Sequence, residues 1–393
     1  MNTVEQTIVD RIDALSEALI GVSHSIHANP ELAFKEFHAA DLLTRTLDEH
    51  GLPAERGVFT LETAFEARLN EDHPGPTIAV LAEYDALPGI GHACGHNLIA
   101  TSALGALLGL QAVAPQLEGT IRLVGTPAEE KGGGKELMAR AGAFTGVDAA
   151  MMIHPAGVNL STMPCICVAE VQVTYHGRSA HASAMPHRGV NALDGLLLAY
   201  QAISNLRQHI RDNERIHGII TEGGTAPNIV PDRAAGDFYV RAANETQLEA
   251  LKPRVQACFE AGAKGSGCEV DINWANVDYL DLNTNWPLAE SFQKHGEHLG
   301  REFLRPSDLS GAGSTDMGNV SHRVPSIHPM LAAAPSNVVI HNPEFARWAG
   351  SETGDAAAID GAKTLALTAA EFLSDMNLRE SSQRAFEVSK GLT

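Results

Sequence analysis

The chain has no apolar run long enough to cross a membrane. Its longest, "LIATSALGALLGLQAVA" from Leu98 to Ala114, falls short of the ~20 residues a span requires and contains Ser, Thr and two glycines. It reads as a buried helix. Positive charge is scarce as well, with 28 Lys and Arg against 48 Asp and Glu and a formal charge of −20. That balance repels phosphate backbones and anionic membrane surfaces, so neither nucleic acid nor a membrane is an expected partner. Cysteine is sparse, five in 393 residues at irregular spacing. An odd, scattered set excludes a disulfide framework and fits a reducing compartment, so a cytoplasmic location is expected. The opening stretch "MNTVEQTIVDRIDALSEALI" carries Glu5, Asp10 and Asp13, which argues for an amphipathic helix and against a signal peptide. Low-complexity linkers and internal repeats are absent too.

What the chain does have is 44% hydrophobic residues over a length that suits more than one domain. Helical periodicity fills the first fifty residues, and short apolar runs then alternate with helical stretches. The expected strands are "TIAVLAE" from Thr77, "TIRLVGT" from Thr120, "AAMMI" from Ala149 and "NVVI" from Asn337. This alternation predicts an α/β domain with a mostly parallel sheet.

The middle of the chain follows another order: strand, helix, two strands, helix, strand, from about Cys167 to Trp274. That βαββαβ order is ferredoxin-like and predicts an inserted α+β domain. The expected division is 1–166 and 281–393 for the discontinuous α/β domain, with 167–280 as the insertion. In the insertion's first helix, Leu193, Leu196, Leu197, Tyr200 and Ile203 form one stripe expected to pack on its own sheet.

Each expected strand of the larger domain is followed by a residue able to do chemistry: Asp85, then Glu129 and Glu130, then His154, then His341. Ligands of open α/β sheets bind beyond the carboxyl ends of the strands, so these residues are expected to converge. In "GIGHACGHN", Gly89 to Asn97, two histidines and a cysteine follow the first strand and open the buried helix. Adjacent carboxylates among apolar residues repel each other and cost desolvation energy unless a cation is near. One of them can then ligate a metal while its neighbour acts as general base. Cys94 as a nucleophile would need a free histidine base and an orienting third group. Thiolate, imidazole and carboxylate together better suit zinc or another first-row divalent ion. His92 is expected to play a supporting part.

These motifs run in order through nearly the whole chain: "HANPELAFKE", "AEYDALPGIGHACGHN", "TPAEEKGGG", "MMIHP", "GRSAHASAMPHRGVNALD", "APNIVP", "GAGSTDMGNVS" and "IHNPEF". The sequence resembles the aminoacylase, glutamate-carboxypeptidase and acetylornithine-deacetylase family of two-metal peptidases and amidohydrolases. It is most similar to the branch holding β-alanyl-lysine dipeptidase and p-aminobenzoyl-glutamate hydrolase subunits.

The resemblance implies metal-dependent hydrolysis of an amide bond in a dipeptide or N-acyl amino acid. Water would be activated by a di-metal centre of zinc, manganese or cobalt and by Glu129. It implies Cys94, His96, Glu130, His154 and His341 as ligands and Asp85 as the carboxylate orienting a ligand. His181 in the inserted lid would polarise the scissile carbonyl across a homodimer interface. Asn228 and Arg241 would hold substrate, and Gly313, Ser314 and Thr315 would cradle it beside the metals. Asn97 stands where many relatives carry aspartate, which leaves open whether both metal positions fill alike. The alternatives are an aminohydrolase releasing ammonia with the same centre and a non-catalytic partner subunit.

Overall fold

A computed structural model describes residues 1–305, 307 and 313–391. The opening Gly311 and Ala312 of "GAGSTDMGNVS" lie outside the described residues. The chain divides into two compact units, Met1–Pro164 with Leu282–Thr393, and Cys165–Asp281.

The strands are β1 (Ala54–Arg56), β2 (Phe65–Leu69), β3 (Thr77–Ala82), β4 (Thr120–Gly125), β5 (Ala149–Met151), β6 (His154–Ala156), β7 (Cys167–His176), β8 (Arg215–Glu222), β9 (Arg233–Ala242), β10 (Glu269–Trp274), β11 (Ser326–Ile327) and β12 (Met330–Ala332). The helices are α1 (Thr3–Ala28), α2 (Phe37–Glu49), α3 (His96–Gln111), α4 (Gly134–Arg140), α5 (Ala192–Leu206), α6 (Glu245–Ser266), α7 (Trp286–His298), α8 (Met317–Ser321), α9 (Pro343–Ala349), α10 (Glu352–Ser374) and α11 (Met376–Ser389).

In the larger unit the sheet order is β1-β2-β4-β3-β5-β11. Strands β4, β3, β5 and β11 are parallel, and β1 and β2 add an antiparallel edge. Beyond the ends of β5 and β11 the same two chain segments pair again as β6 and β12. Between the two pairings lie Met152–Ile153 and His328–Pro329, where Met152 N–H donates to Ile327 O at 3.4 Å and His154 N–H to Pro329 O at 2.8 Å. Helix α3 is buried from His96 to Leu110 and packs between α1 and α10. A Cβ on Gly105 would lie 2.8 Å from that of Ala362, so the absence of a side chain is what lets α3 and α10 approach.

The apolar run "NVVI" predicts the fourth strand, and the structure corrects that expectation. Residues 337–340 form a loop, and the fourth parallel strand is β11. The reason lies in burial: Val338 packs against Ala334 and Phe345, but Val339 is exposed, so the run is apolar without lying in the sheet. The first fifty residues likewise split into α1 and α2, with Pro30 in the segment between.

In the smaller unit the antiparallel sheet order is β10-β7-β9-β8. Helices α5 and α6 pack on each other and on this sheet. The buried stripe of α5 is Ala192, Leu196, Ala199 and Ile203, with Leu193 and Tyr200 at its margin. Leu197, expected in that stripe, is exposed instead, because the position falls beyond the arc facing the sheet.

Candidate metal centre

The carboxyl ends of the parallel strands carry the polar residues. Glu83 and Asp85 follow β3, Glu129 and Glu130 follow β4, and His154 follows β5 and opens β6. Gly95 sits at φ +77° as the N-cap of α3, and an added Cβ would meet Pro155 Cγ at 2.8 Å. Only glycine takes that turn at little cost, and the turn sets Cys94 and His96 beside each other.

His96 is fully buried. Its Nδ1 lies 2.9 Å from Asp85 Oδ1, and its Nε2 faces Glu83 Oε2 at 3.4 Å, Glu129 Oε2 at 3.8 Å and Glu130 Oε1 at 3.9 Å. The Asp85 contact leaves Nε2 as the nitrogen directed at the other carboxylates. Burial alone would lower the pKa of His96, but Asp85 and Glu83 outweigh it and hold the ring well above its ordinary value. Asp85 Oδ2 also accepts from the Glu130 backbone N–H at 2.9 Å, tying the β4 loop to the histidine.

His154 Nδ1 donates to Pro155 O at 2.7 Å, which leaves the Nε2 lone pair facing Cys94 Sγ at 3.4 Å. Burial lowers this imidazole to about 4, so it is neutral and able to ligate. Burial, then the Glu130 charge, pushes the Cys94 thiol well above its usual value. A buried thiol of that kind becomes a thiolate only with a cation beside it, which argues for ligation over nucleophilic attack. Burial, then Glu83 and Glu130, also raises Glu129 well above the carboxylate range.

His341 reaches the cluster from a loop, not from a strand end. Its backbone N–H donates to Ala93 O at 2.9 Å, its φ is +60°, and its half-exposed ring places Nε2 3.4 Å from Glu130 Oε2. Three sets of donors have their ligand atoms within 4.8 Å of one another: Cys94 with His96 and His154, Cys94 with Glu130 and His341, and Glu83 with His96 and Glu129. Among the described residues, Glu83 Oε2, His96 Nε2 and Glu130 Oε1 are buried without a hydrogen-bond partner. Unpartnered polar atoms are costly in a protein interior, and their convergence here fits a site made for divalent cations.

Asn97 does not belong to this cluster. Its Nδ2 donates to Ser23 Oγ and Ala349 O, each at 2.9 Å, so the amide ties the start of α3 to α1 and α9. Its Oδ1 is buried without a hydrogen-bond partner.

Thr315 is buried, and its Oγ1 accepts the Met317 N–H at 3.2 Å at the start of α8. Ser314 is half-buried, and Gly313 is exposed with its N–H on Pro164 O at 3.1 Å.

In the smaller unit His181 is exposed. Its Nδ1 accepts from the Ala184 N–H at 3.2 Å and the Ser183 N–H at 3.4 Å. The neutral ring then carries its proton on Nε2, free to donate. Asn228 is beside it, its carbonyl accepting the Ala182 N–H at 3.0 Å. Arg241 is not part of that group. It lies near the far end of β9 from Arg233, roughly 26 Å along the strand at ~3.3 Å per residue, with Nε 3.3 Å from His217 Nε2 and its guanidinium over the Tyr239 ring.

Sequence reasoning misses four buried residues near the cluster: Glu83, His328, Lys135 and Asp316. Glu83 has a signal, an acid ending the apolar run "TIAVLAE". His328 follows the true fourth strand, and its ring centroid is 5.4 Å from that of His154. Lys135 and Asp316 have none, since only tertiary contact joins them to the site.

The chain is similar to known proteins. Residues 168–266 match the peptidase dimerisation domain of the M20 family. The chain is 38% identical over 401 residues to Xaa-Arg dipeptidase of Mus musculus, covering 98% of this chain and 93% of that protein. It is 33% identical over 338 residues to one of the subunits of p-aminobenzoyl-glutamate hydrolase of Escherichia coli, covering 79% of this chain and 69% of that one. A dinuclear metal-binding M20 peptidase from Bacillus subtilis shares the fold, with a TM-score of 0.69 and 22% identity over 91% of this chain and 99% of that one. With its buried donor cluster at the ends of a parallel sheet and its separate antiparallel unit, this chain belongs to the M20 peptidase family, hydrolytic enzymes that act on amide bonds.

Proposed function

We propose that the protein is a dipeptidase that cleaves the amide bond of small dipeptides, with a basic C-terminal residue preferred. The observation that carries this reading is the convergence of Cys94, His96, Glu130, His154 and His341 with Glu129 around buried, unpartnered donor atoms. Those five residues, with Glu83 beside His96, would hold two divalent ions of zinc, manganese or cobalt, which would supply a Lewis acid and acidify water.

The chain's own groups do the rest. Glu129, buried and held above the carboxylate range by burial and by Glu83 and Glu130, takes the proton of the attacking water and returns it to the leaving amine. Asp85 holds His96 in one orientation. His181 Nε2–H donates to the scissile carbonyl oxygen as negative charge gathers there.

His181 and Asn228 adjoin each other while Arg241 stands at the other end of β9. We assign His181 and Asn228 to the centre of the partner chain in a homodimer and Arg241 to pairing with a substrate carboxylate. Gly313, Ser314 and Thr315 lie on the segment leading into α8, and we assign their backbone and hydroxyls to substrate positioning. Exposed Leu197, Leu198, Ile219, Ile220 and Ile229 in the smaller unit also support dimerisation there.

The formal charge of −20 attracts a cationic substrate, and an Xaa-Arg dipeptidase is among the relatives. No helix among the described residues is long and apolar enough to cross a membrane, and all five cysteines are free, which favours the cytoplasm.

The test is metal analysis of the purified protein together with a hydrolysis screen. Aminoacyl-lysine and aminoacyl-arginine dipeptides, N-acyl amino acids and p-aminobenzoyl-glutamate are assayed with Zn²⁺, Mn²⁺ or Co²⁺. Turnover of the basic dipeptides above the others is expected. Ammonia release without peptide cleavage would instead favour an aminohydrolase.

A further inference from the structure

Directly behind the donor cluster the larger unit buries an ion triad. Lys135, the second residue of α4, places its Nζ on Glu83 Oε1 and 2.6 Å from Asp316 Oδ1. Its backbone N–H donates to Asp316 Oδ2 at 2.8 Å. All three side chains are fully buried.

Such a triad is a poor device for stability alone. Removing charges from water costs several kcal/mol per ion, and apolar residues of similar volume often serve as well. Two carboxylates on one ammonium also leave an excess negative charge. Burial raises Asp316 to about 6 even with Lys135 against it.

The triad is open on one side only. Glu83 Oε1 is held by Lys135, whereas Glu83 Oε2 has no hydrogen-bond partner and faces His96 Nε2, itself unpartnered, at 3.4 Å. Glu83, His96 and Glu129 are one of the three donor sets. A fixed monocation on the far oxygen of Glu83 therefore draws on the same carboxylate that a divalent ion at this position must use. The set formed by Cys94, Glu130 and His341 includes no residue of the triad.

Resting on the metal-centre reading above, we propose that Lys135 is a positioning residue of that centre. Its ammonium, shared between Glu83 and Asp316, fixes Glu83 and weakens divalent-ion binding at the position where Glu83 Oε2 faces His96 Nε2, beside the base Glu129. The two ion positions then fill in sequence, the Cys94 side first.

The full-length protein, stripped with a chelator and titrated with Mn²⁺, tests this by calorimetry and by the electron paramagnetic resonance of free Mn²⁺. Two separated binding steps are expected for the parent chain. Lys135→Met should tighten the weak step at least about tenfold with the tight step unchanged, since a unit charge removed this close in a protein interior acts strongly. Asp316→Asn should shift the weak step the other way, because the whole ammonium charge then rests on Glu83. This milder variant decides the matter if Lys135→Met does not fold. A weak step unmoved or shifted against these signs, or two equal steps in the parent, overturns the proposal. A parent chain that binds no Mn²⁺ at all overturns the metal-centre reading instead.

Discussion

In the larger unit Glu83, Asp85, His96, Glu129 and His154 are buried at strand ends, whereas in the smaller unit His181 and Asn228 stand exposed on turns. The larger unit's polar groups are held by one another: Asp85 orients His96, Pro155 O orients His154, and Lys135 fixes Glu83. They leave unpartnered atoms pointing inward, a state an interior tolerates only when something else completes it. His181 is held by backbone N–H groups of its own turn, with its other nitrogen left for an outside acceptor. One region is organised by contacts within itself, and the other, in the proposed reading, offers groups whose work depends on assembly. This is the division expected when charge stabilisation must be rigid while substrate contact must open and close.

The largest effect that would sharpen this comparison lies at Glu129. Glu129→Gln is expected to cut kcat by about 10³-fold or more, near the upper range for a lost general base, while metal content measured by mass spectrometry stays that of the parent. Retained turnover would remove Glu129 from the role. A smaller loss is expected at the exposed end: His181→Ala should lower kcat by about 10²–10³-fold, as for one lost donor to an oxyanion. Mixing the two inactive variants should restore part of the activity through hybrid dimers if His181 acts on the partner's centre. No recovery in demonstrated heterodimers would confine each site to one chain.

The smallest effect concerns a partnered polar group in the larger unit that does no chemistry. Glu371 accepts from Ser291 Oγ at 2.6 Å, and its carboxylate contacts Lys294 Nζ at 2.5 Å and His295 Nε2 at 2.8 Å. The His295 contact, with help from Lys294 and Ser291, holds its carboxyl well below the ordinary 4.5. A depressed folded value gives stability that is present above 4.5 and is lost as pH falls toward the folded value. Glu371→Gln should therefore cost about 1 kcal/mol at neutral pH, with activity per folded molecule unchanged. In urea unfolding the gap from the parent should shrink as pH drops below 4.5. A gap independent of pH would show that charge at Glu371 is not its source.

Much of this is legible in the chain itself. The βαββαβ order of the smaller unit matches its six elements, because each strand there alternates or is bounded by turn residues that local chemistry dictates. The donors Cys94, His96, Glu130 and His154 follow apolar runs that do form strands or the buried helix. His341 reaches the site for a different reason than its spacing suggests: "NVVI" is apolar but looped, and a backbone bond to Ala93 delivers the histidine. Asn97 looks in the sequence like a change at the metals, whereas its amide ties α3 to Ser23 and Ala349.

Local sequence dictates most of the elements and the donors Cys94, His96, Glu130 and His154 beside them, since hydrophobic periodicity and glycine turns act over a few residues. Tertiary structure alone decided that Lys135 and Asp316, 181 residues apart, meet behind Glu83, and that His328 follows the fourth parallel strand. It also separated Arg241 from His181 along β9. Charge pairing and burial act through space, and nothing in local sequence spacing records which distant residues a fold brings together.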